Sequence, residues 1–343
     1  MARILVIRFS ALGDVAMTIP VIHSLAVQYP QHEIVILSRG MSQPLFQRLP
    51  ANVSFVSADL LGKHKGLRGL NKLFAELKAM HFDYVADLHD VLRSRYLCSR
   101  FLLSGISVAS IHKGRLGKKR LTRRRHKVLE MQKSSFRRYA DVFSTLGCPI
   151  LLNFSSIYGE GQGDFSQLSS VVEPKGTHKW IGIAPFAKHL GKIYPLALQE
   201  QIVAHFASDP TVRVFLFGGG KEEQEVFDRW IKKYPSVTSM IGKLNLSTEL
   251  NLMSYLDVML SMDSANMHLA SLVNTPVVSI WGATHPYAGF MGWKQLPINT
   301  VQVDLPCRPC SVYGQKSCFR GDYACLMQIT PEQVIEKIER IIR

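Results

Sequence analysis

Short apolar runs alternate with amphipathic segments along the whole chain. The runs "RILVIRF", "EIVILS" and "FDYVADLH" in the first half, and "WIGIAPF", "VRVFLF" and "PVVSIWG" in the second, predict buried strands. The segments between them have helical spacing; "GLNKLFAELKAM", for example, places Leu70, Leu73, Phe74 and Leu77 on one face. Repeated strand–helix units predict parallel sheets with helices on both faces, which is typical of an α/β protein.

Two segments interrupt this alternation near the middle of the chain. Residues 112–127 contain nine Lys or Arg and no acid. Residues 158–179 are rich in Gly and Ser, which is typical of a linker. We therefore expect two lobes, whose cleft is lined by the carboxyl ends of strands from both. The first helix is predicted from Asp14 to Tyr29, and the last begins with a capping box at Thr330.

Charge and hydropathy narrow the class of partner. The chain has 343 residues and a net charge of +15, so we expect an anionic partner: nucleic acid, acidic lipid or a phosphorylated substrate. Nucleic acid is disfavoured, because no aromatic-interleaved basic motif or helix-turn-helix pattern accompanies the charge. No apolar window approaches the roughly 18 residues of a transmembrane helix. The N-terminal apolar run is broken early by Arg8, so no signal peptide is expected and the protein should be cytosolic.

Gly13 and Asp14 follow the first strand, at the point where a helix begins. An acid there has an ordinary structural role, because it caps free backbone amides and meets the positive end of the helix dipole. The same carboxylate at the end of a strand could instead act as a general base toward an attacking hydroxyl. Gly13 would allow a sharp turn and leave room for a substrate. The residues alone leave both roles open.

The segment "SMDSANMHLAS" in the second half predicts an anion site. A strand ends at Met262, and Asp263, Ser264 and Ala265 open a helix whose first-turn amides can hold a diphosphate. His268 lies on the first turns of this helix. Taken alone, Asp263 is equally explained as a cap and His268 as a packed core residue.

Two other loops of the second half suit a nucleotide. The loop after "GIAPF" carries Lys188 and Lys192, which could neutralise phosphate charge, although loop lysines are usually only solvated. "FGGGKEE" matches neither a Walker loop nor GxGxxG. The backbone of Gly219 could approach a nucleoside and Glu222 could bind a ribose, but a tight turn before an acidic helix start explains the pattern as well.

Four of the six cysteines lie close together near the C-terminus. Cys307, Cys310, Cys318 and Cys325 are spaced C-x₂-C-x₇-C-x₆-C. Four thiolates on one loop can hold a tetrahedral structural zinc ion. Reduced, packed thiols and disulfides are the alternatives, and disulfides are a poor default in a reducing cytosol.

Together these motifs resemble glycosyltransferase family 9, the ADP-heptose:lipopolysaccharide heptosyltransferases and their relatives. The matching pieces are "RFSALGDVAMTIPVIHSL", "DLHDVLRSRYL", "GKIYP", "FGGGKEE" and "DSANMHLASLVNTPVVSIWGATHP", in family order along the chain. The resemblance implies a GT-B architecture, with two Rossmann-like lobes whose parallel sheets face one another across a cleft. We expect an acceptor lobe at residues 1–165, a nucleotide-sugar lobe at 176–328 and a final helix at 329–343 that packs back toward the first lobe.

The resemblance also implies inverting transfer of a heptose, or a related sugar, from an ADP-sugar to a lipopolysaccharide core acceptor. Asp14 matches the catalytic base, and Lys192 the lysine that contacts the donor diphosphate. The other expected donor-binding positions are Gly13, Gly219, Glu222, Asp263, Ser264, Ala265 and His268. No metal is expected to be required for catalysis, because Lys192 and helix amides would stabilise the leaving diphosphate. The sequence departs from the family at Ala187 and Lys188, where threonines are common, and at Ala265, where glycine is commoner.

The acceptor implied by the resemblance is a lipid A core that carries Kdo carboxylates and phosphates in a membrane leaflet. The expected acceptor-binding residues are Lys63, Lys65, Arg68, Arg93 and Arg95. Each cation close to acidic lipid contributes about 1 kcal/mol, so these residues and the basic run predict peripheral binding to the inner face of the inner membrane. A nucleotide-sugar donor, this acceptor and an anionic membrane surface are the expected partners, and nucleic acid is not.

Two other classes of function stay open on the residues alone. A nucleotide-sugar or dinucleotide enzyme, such as an epimerase or dehydrogenase, would need GxGxxG after the first strand, and "FSALGDVA" lacks it. A non-catalytic protein that binds lipopolysaccharide or another anionic glycolipid would tolerate the loss of Asp14, whereas an enzyme that uses this base would not.

Overall fold

A computed structural model describes all residues 1–343 and confirms the alternation of strands and helices. Up to residue 157 the elements are β1 (Arg3–Ile7), α1 (Leu12–Ala16), α2 (Ile19–Gln28), β2 (Glu33–Ser38), β3 (Val53–Ser57), α3 (Gly66–Lys78), β4 (Tyr84–Asp87), α4 (Leu92–Leu103), β5 (Ser107–Ser110), α5 (Arg115–Leu121) and α6 (Ser135–Thr145). A 3₁₀ helix, Gly40–Phe46, lies between β2 and β3.

The second half of the chain shows the same alternation of strands and helices. Its elements are β6 (Lys179–Ala184), α7 (Leu196–Ala207), β7 (Val212–Leu216), α8 (Lys221–Lys233), β8 (Val237–Ser239), α9 (Leu246–Met253), β9 (Val258–Met262), α10 (Ala265–Leu272), β10 (Val277–Ile280), β11 (Thr300–Val301), α11 (Ala324–Met327) and α12 (Pro331–Ile342). Short 3₁₀ turns occur at Phe165–Gln167, Leu190–Lys192, Pro286–Ala288 and Pro297–Asn299.

The chain divides into two compact units. Unit 1 contains residues 1–113 and 134–157, and unit 2 contains residues 114–133 and 158–343. Most of the basic run therefore groups with unit 2, although the sequence analysis placed it inside the first lobe. The segment predicted as a linker, 158–179, carries one short 3₁₀ turn and otherwise neither helix nor strand before β6 begins.

Unit 1 is built on a five-stranded parallel sheet with the order β3-β2-β1-β4-β5. The central strand β1 is apolar because it is covered on both faces, and Ile4 to Ile7 are buried. Chain order reverses at β1 and β4, which are hydrogen-bonded neighbours although two other strands separate them in sequence. The loops after β1 and β4 therefore leave the sheet side by side at its carboxyl edge, which is where doubly wound sheets bind ligands.

Unit 2 is built on a six-stranded parallel sheet with the order β11-β10-β9-β6-β7-β8. Here chain order reverses at β6 and β9. Helices α7, α8 and α12 contribute to the core cluster of this unit together with the buried strands. The fold of each unit is thus the Rossmann-like α/β sheet that the pattern predicts.

The last helix shows how the sequence sets its boundary and its buried face. Thr330 Oγ1 accepts the Gln333 N–H at 3.4 Å, and Gln333 Oε1 accepts the Thr330 N–H at 3.0 Å, which confirms the capping box. Val334 and Ile338, four residues apart, are fully buried in the core of unit 2. That this helix also reaches toward the first lobe stays a prediction.

The single helix predicted from Asp14 to Tyr29 is wrong, because the structure contains two, α1 and α2. Pro20 stands in the first turn of α2, and a proline has no N–H to continue the hydrogen-bond ladder of a preceding helix. Thr18 Oγ1 donates to the Val15 carbonyl at 2.7 Å and helps close α1. Along the whole chain, no helix combines the length and the apolar character that crossing a bilayer requires.

Candidate active site

Asp14 lies at the carboxyl edge of the unit 1 sheet, as the third residue of α1. Its Oδ2 accepts the Ala11 N–H at 3.2 Å, which is the capping contact that the sequence allowed. The same oxygen lies 2.9 Å from Arg8 Nη2, and the side chain remains 33% exposed. The capping role is therefore present, and the carboxylate is also paired and accessible to solvent. Gly13, the residue before it, is buried.

Arg8, which the sequence analysis did not assign to the site, fixes this arrangement. It follows β1 directly and is buried, and its Nη1 donates to the Leu88 carbonyl at 2.6 Å. Leu88 follows β4, so the guanidinium joins the two loops at which strand order reverses. A buried cation is costly unless it is paired, and Asp14 is its carboxylate partner.

A neutral histidine stands beside this pair. Asp87, the last residue of β4, accepts the His89 N–H at 2.8 Å and the Asp90 N–H at 2.9 Å, so the turn is fixed. Burial, and then the positive charge of Arg8, lower the pKa of His89 to about 3. The His89 Nδ1 accepts the Phe9 N–H at 3.4 Å, which leaves the ring hydrogen on Nε2. The site therefore has a hydrogen-bond donor that keeps its protonation state across the physiological range.

The five predicted acceptor-binding cations are all exposed side chains of unit 1. They lie at the starts of α3 and α4, which face the carboxyl edge of the parallel sheet because each helix follows a strand. Two of them already have carboxylate partners: Lys63 lies 2.7 Å from Glu76, and Arg95 lies 2.6 Å from Asp90. The cations without an ion pair are Lys65, Arg68 and Arg93.

In unit 2, the structure brings two predicted donor-binding residues into contact. Lys192 ends a 3₁₀ turn in the loop after β6, and Asp263 follows β9, so both lie where strand order reverses. Lys192 Nζ is 2.8 Å from Asp263 Oδ2, and it donates to the Asp263 carbonyl at 3.1 Å. An ammonium group has three N–H donors and one is used by the Asp263 carbonyl, so donors remain for a ligand.

The first turn of α10 lies beside this ion pair. Ser264 is its N-cap residue, but the hydroxyl does not cap the helix and lies 3.2 Å from Ser261 Oγ. The half-buried Ser264 and Ala265 are followed by His268, which is buried on the inner face of the helix. The amides of a first turn without a side-chain cap, and the lysine next to them, form an environment that suits a phosphate group.

The glycine loop after β7 differs in one detail from the sequence interpretation. Glu223, and not Glu222, turns back to the loop and accepts the Gly219 N–H at 2.8 Å. Glu222 is exposed in the first turn of α8, so its contact with a ribose stays a prediction. A Cβ atom at Gly219 would meet nothing within 4 Å, so the backbone there is open to an approaching ligand.

Residues 307–325 contain four of the cysteines and are called the cysteine-containing segment. Gly314, in this segment, packs directly on Lys192. Gly314 has a φ of +78°, and a Cβ atom on it would come within 2.7 Å of Lys192 Cγ. On the other side of the lysine loop, the Ala283 N–H donates to the Gly191 carbonyl at 2.8 Å. The position of Lys192 therefore depends on the segment that contains Gly314 as well as on Asp263.

Comparison with known proteins identifies the family. The model of "Glycosyltransferase family 9 (heptosyltransferase)" matches residues 70–318, well over half of the chain. The chain belongs to glycosyltransferase family 9. It is therefore a glycosyltransferase, and the alternatives of an epimerase, a dehydrogenase or a non-catalytic binding protein are not favoured.

Curated relatives and solved structures agree over nearly the full length of this glycosyltransferase. Lipooligosaccharide heptosyltransferase 2 of Campylobacter jejuni is 22% identical, with 97% of this chain and 96% of the relative covered. The fold matches E. coli ADP-heptose lps heptosyltransferase II with a TM-score of 0.69, at 19% identity and 99% and 98% coverage. It matches E. coli heptosyltransferase WaaC with ADP with a TM-score of 0.68, at 17% identity and 98% and 99% coverage. These likenesses show a GT-B fold.

The predicted zinc site in this family member is not supported by the structure. No group of three or more His, Cys, Asp or Glu side chains is arranged to hold a metal, and all six cysteines are free. Cys310 Sγ is directed at the Ala283 carbonyl and Cys318 Sγ at Asp322 Oδ1, each at 3.9 Å. Burial, and then the mutual charge of the four thiols, which lie close together, raises the pKa of Cys310 and Cys325, but the thiols do not form a group that could hold a metal ion.

A buried arginine holds the cysteine-containing segment in place instead. Arg308 is 4% exposed and donates to carbonyls on both sides of the turn after β10, those of Trp281, Gly282, Thr284 and Val303. Its Nη2 also donates to Gln302 Oε1 at 2.9 Å. A buried cation with this many acceptors is fully satisfied and fixes the backbone around it.

We predict that Gly314→Ala weakens the binding of inorganic pyrophosphate, the diphosphate unit of a nucleotide-sugar donor, by about tenfold. The methyl group would both strain a left-handed backbone, at about 1–2 kcal/mol, and displace Lys192. Gly321→Ala is the matched control, because Gly321 has a φ of +82° but open space around its Cβ position. Calorimetry measures the affinity for pyrophosphate and so reports the displacement of Lys192, whereas thermal melting reports the backbone strain. Equal pyrophosphate affinity in both variants would show that Gly314 does not position Lys192.

Proposed function

We propose that this glycosyltransferase transfers a heptose, or a closely related sugar, from an ADP-sugar to a lipopolysaccharide core acceptor with inversion at the anomeric carbon. The contact between Lys192 and Asp263 at the start of α10 carries the proposal, because it forms a phosphate-binding environment where strand order reverses in unit 2. Relatives named as heptosyltransferases cover almost the full length of the chain and supply the sugar and the acceptor class.

The donor diphosphate is bound by charge and by backbone amides. Lys192 donates one N–H to the Asp263 carbonyl and keeps donors for a phosphate oxygen. The first turn of α10 offers backbone amides and the positive end of the helix dipole. The open backbone at Gly219 gives the nucleoside a flat surface, and Glu222 accepts from the ribose. This arrangement neutralises the leaving ADP without a metal ion.

The chemical step is a single displacement. The acceptor hydroxyl oxygen forms a bond to the anomeric carbon as the bond from that carbon to the diphosphate oxygen breaks. The hydroxyl proton passes to the Asp14 carboxylate, and the electron pair leaves with ADP. Arg8 keeps this carboxylate in place through the 2.9 Å ion pair, and the exposed third of the Asp14 side chain is the part that would meet the acceptor.

The acceptor lies in a membrane leaflet, so we propose that the enzyme binds there peripherally from the cytoplasmic side. The net charge of +15 and the exposed cations at the starts of α3 and α4 support this association. Lys65, Arg68 and Arg93 have no carboxylate partner, and they provide the charge for lipid phosphates and acceptor carboxylates.

We predict that Asp14→Asn lowers turnover by about 10²–10⁴-fold and leaves donor affinity nearly unchanged, which is the range for a lost general base. The asparagine oxygen can still accept the Ala11 N–H, so the cap is preserved. Glu33→Gln is the control, because it removes the acid of another ion pair of unit 1, the one with Arg3 at the start of β1. Steady-state transfer assays measure turnover, and titration with ADP measures the affinity of the donor site. Normal turnover with a lowered melting temperature would leave Asp14 only a structural role, through its ion pair with Arg8.

We predict that a metal chelator leaves transfer unchanged, whereas Lys192→Gln reduces donor affinity at least about tenfold, since a hydrogen bond from a charged donor contributes about 1.5–3 kcal/mol. Lys188→Gln is the control, because it removes an exposed cation from the same loop. ADP release is measured at several donor concentrations, with and without EDTA, for the unaltered enzyme, Lys192→Gln and Lys188→Gln. Loss of activity in EDTA that added divalent metal restores would contradict the metal-free mechanism.

We predict that the enzyme sediments with anionic vesicles and that this binding weakens as salt is added. Replacing Lys65 and Arg68 with Gln at the start of α3 should reduce binding about tenfold or more, since each cation near acidic lipid contributes about 1 kcal/mol. Lys72 and Lys78, exposed farther along the same helix, give the charge-matched control. Equal sedimentation with neutral and anionic vesicles would remove the proposal of membrane binding.

A further inference from the structure

An arginine-lined cavity in unit 2 lies outside the donor-binding and acceptor-binding residues assigned above. Its volume is about 890 Å³, and its walls are residues 123–125, all arginine, together with Pro306, Cys307, Phe319 and Arg320. We propose that this cavity, the arginine pocket, is a binding site for a phosphomonoester or diphosphate group. The inference does not depend on the proposed function, because none of these residues belongs to the donor or acceptor sites.

The loop that carries three of the arginines is held at its base. It follows α5, and the Val128 N–H donates back to the Arg120 carbonyl at 3.3 Å, which closes the loop. Lys127 Nζ donates to the Pro309 carbonyl at 3.0 Å and so attaches the loop to the cysteine-containing segment. The arginine side chains are exposed, but the backbone beneath them is anchored on both sides of the cavity.

The positive charge of the pocket is only partly compensated by the protein. No acidic residue lines the cavity. Arg320 is paired with Asp322, since its Nη2 donates to Asp322 Oδ2 at 2.8 Å and its Nε donates to the same carboxylate. Arg123, Arg124 and Arg125 have no carboxylate partner. These three unpaired guanidinium groups around one space repel one another, and a bound anion relieves that repulsion.

Arg124 is oriented for in-plane recognition of an anion. Its guanidinium carbon lies over the Phe319 ring, 4.2 Å from the ring centre, so the aromatic ring holds the guanidinium group by a cation–π contact. This contact uses none of the N–H donors as hydrogen bonds, and two of them can match two oxygens of one phosphate. Phe319 is 49% exposed, and this platform for Arg124 accounts for an aromatic ring at the surface.

The number of arginines and the volume indicate the class of ligand. Arginine is favoured where planar, two-point recognition of phosphate matters, and four of them suit a doubly charged phosphomonoester or a diphosphate. A volume of about 890 Å³ is that of a small-molecule site and exceeds what a bare phosphate fills. The group can therefore be attached to a sugar or a lipid headgroup, or it can be free in solution.

The test compares two charge-matched double variants. Arg123→Gln with Arg125→Gln removes two cations from the pocket, and Lys119→Gln with Arg120→Gln removes two exposed cations from the neighbouring end of α5. Each pair is titrated with inorganic pyrophosphate in a Lys192→Gln background, in which binding at the donor site is weakened, and is compared with Lys192→Gln alone. Each pair is also sedimented with vesicles containing phosphatidic acid, a phosphomonoester, or phosphatidylglycerol at the same surface charge.

We expect the pocket variant to lose at least about tenfold in pyrophosphate or phosphatidic acid binding, while the α5 variant stays within about twofold of its parent, because only the pocket arginines contact the phosphate. Pyrophosphate binding points to a free phosphate ligand, and a preference for phosphatidic acid alone points to a lipid-borne one; both support the site. Equal losses in the two variants, or no preference for phosphomonoester in either assay, would overturn it. Unchanged melting temperatures confirm that the variants are folded.

Discussion

The two candidate sites depend on one constraint, the reversal of strand order in each parallel sheet. A parallel strand must be followed by a crossover, and successive crossovers in one direction place their helices on one face of the sheet. Where the direction changes, at β1 and β4 in unit 1 and at β6 and β9 in unit 2, neighbouring loops diverge and leave space at the carboxyl edge. Asp14 and Arg8 occupy the first of these positions, and Lys192 and Asp263 occupy the second.

The same constraint explains what could be predicted from the sequence. Hydrophobic spacing predicts which segments are strands and which are helices, because strands that are covered on both faces of the sheet must be apolar. Lys192 and Asp263 could be assigned because each follows a recognisable strand and stands within a family motif. The break at Met17 and Thr18 follows from Pro20, which begins a helix and does not continue one, but the continuous apolar spacing from Val15 to Leu25 predicts a single helix.

The remaining differences concern contacts that only folding creates. Arg8 could have been noticed as a charge that ends an apolar strand, but its partner at Leu88 is remote in sequence. Glu223, and not Glu222, contacts the glycine loop, because the first turn of α8 directs the side chain of Glu223 toward that loop. Gly314 gave no signal, because its relevance to Lys192 arises from a close approach across the sheet edge. In the cysteine-containing segment, the cysteine spacing predicts a zinc site, but nothing in the sequence indicates that Arg308 is buried and forms the hydrogen bonds that fix the turn after β10.

The excursion of residues 114–133 into unit 2 has a consequence for fragments of the enzyme. The chain passes from one unit to the other three times, so neither unit is a contiguous stretch of sequence. A fragment that begins at the apparent linker would lack α5 and the loop after it, and Phe290 would lose the Lys118 ammonium that stands 4.1 Å from its ring. Gene truncation at that point would therefore yield an incomplete unit 2, in which the ring of Phe290 has lost its cation–π partner.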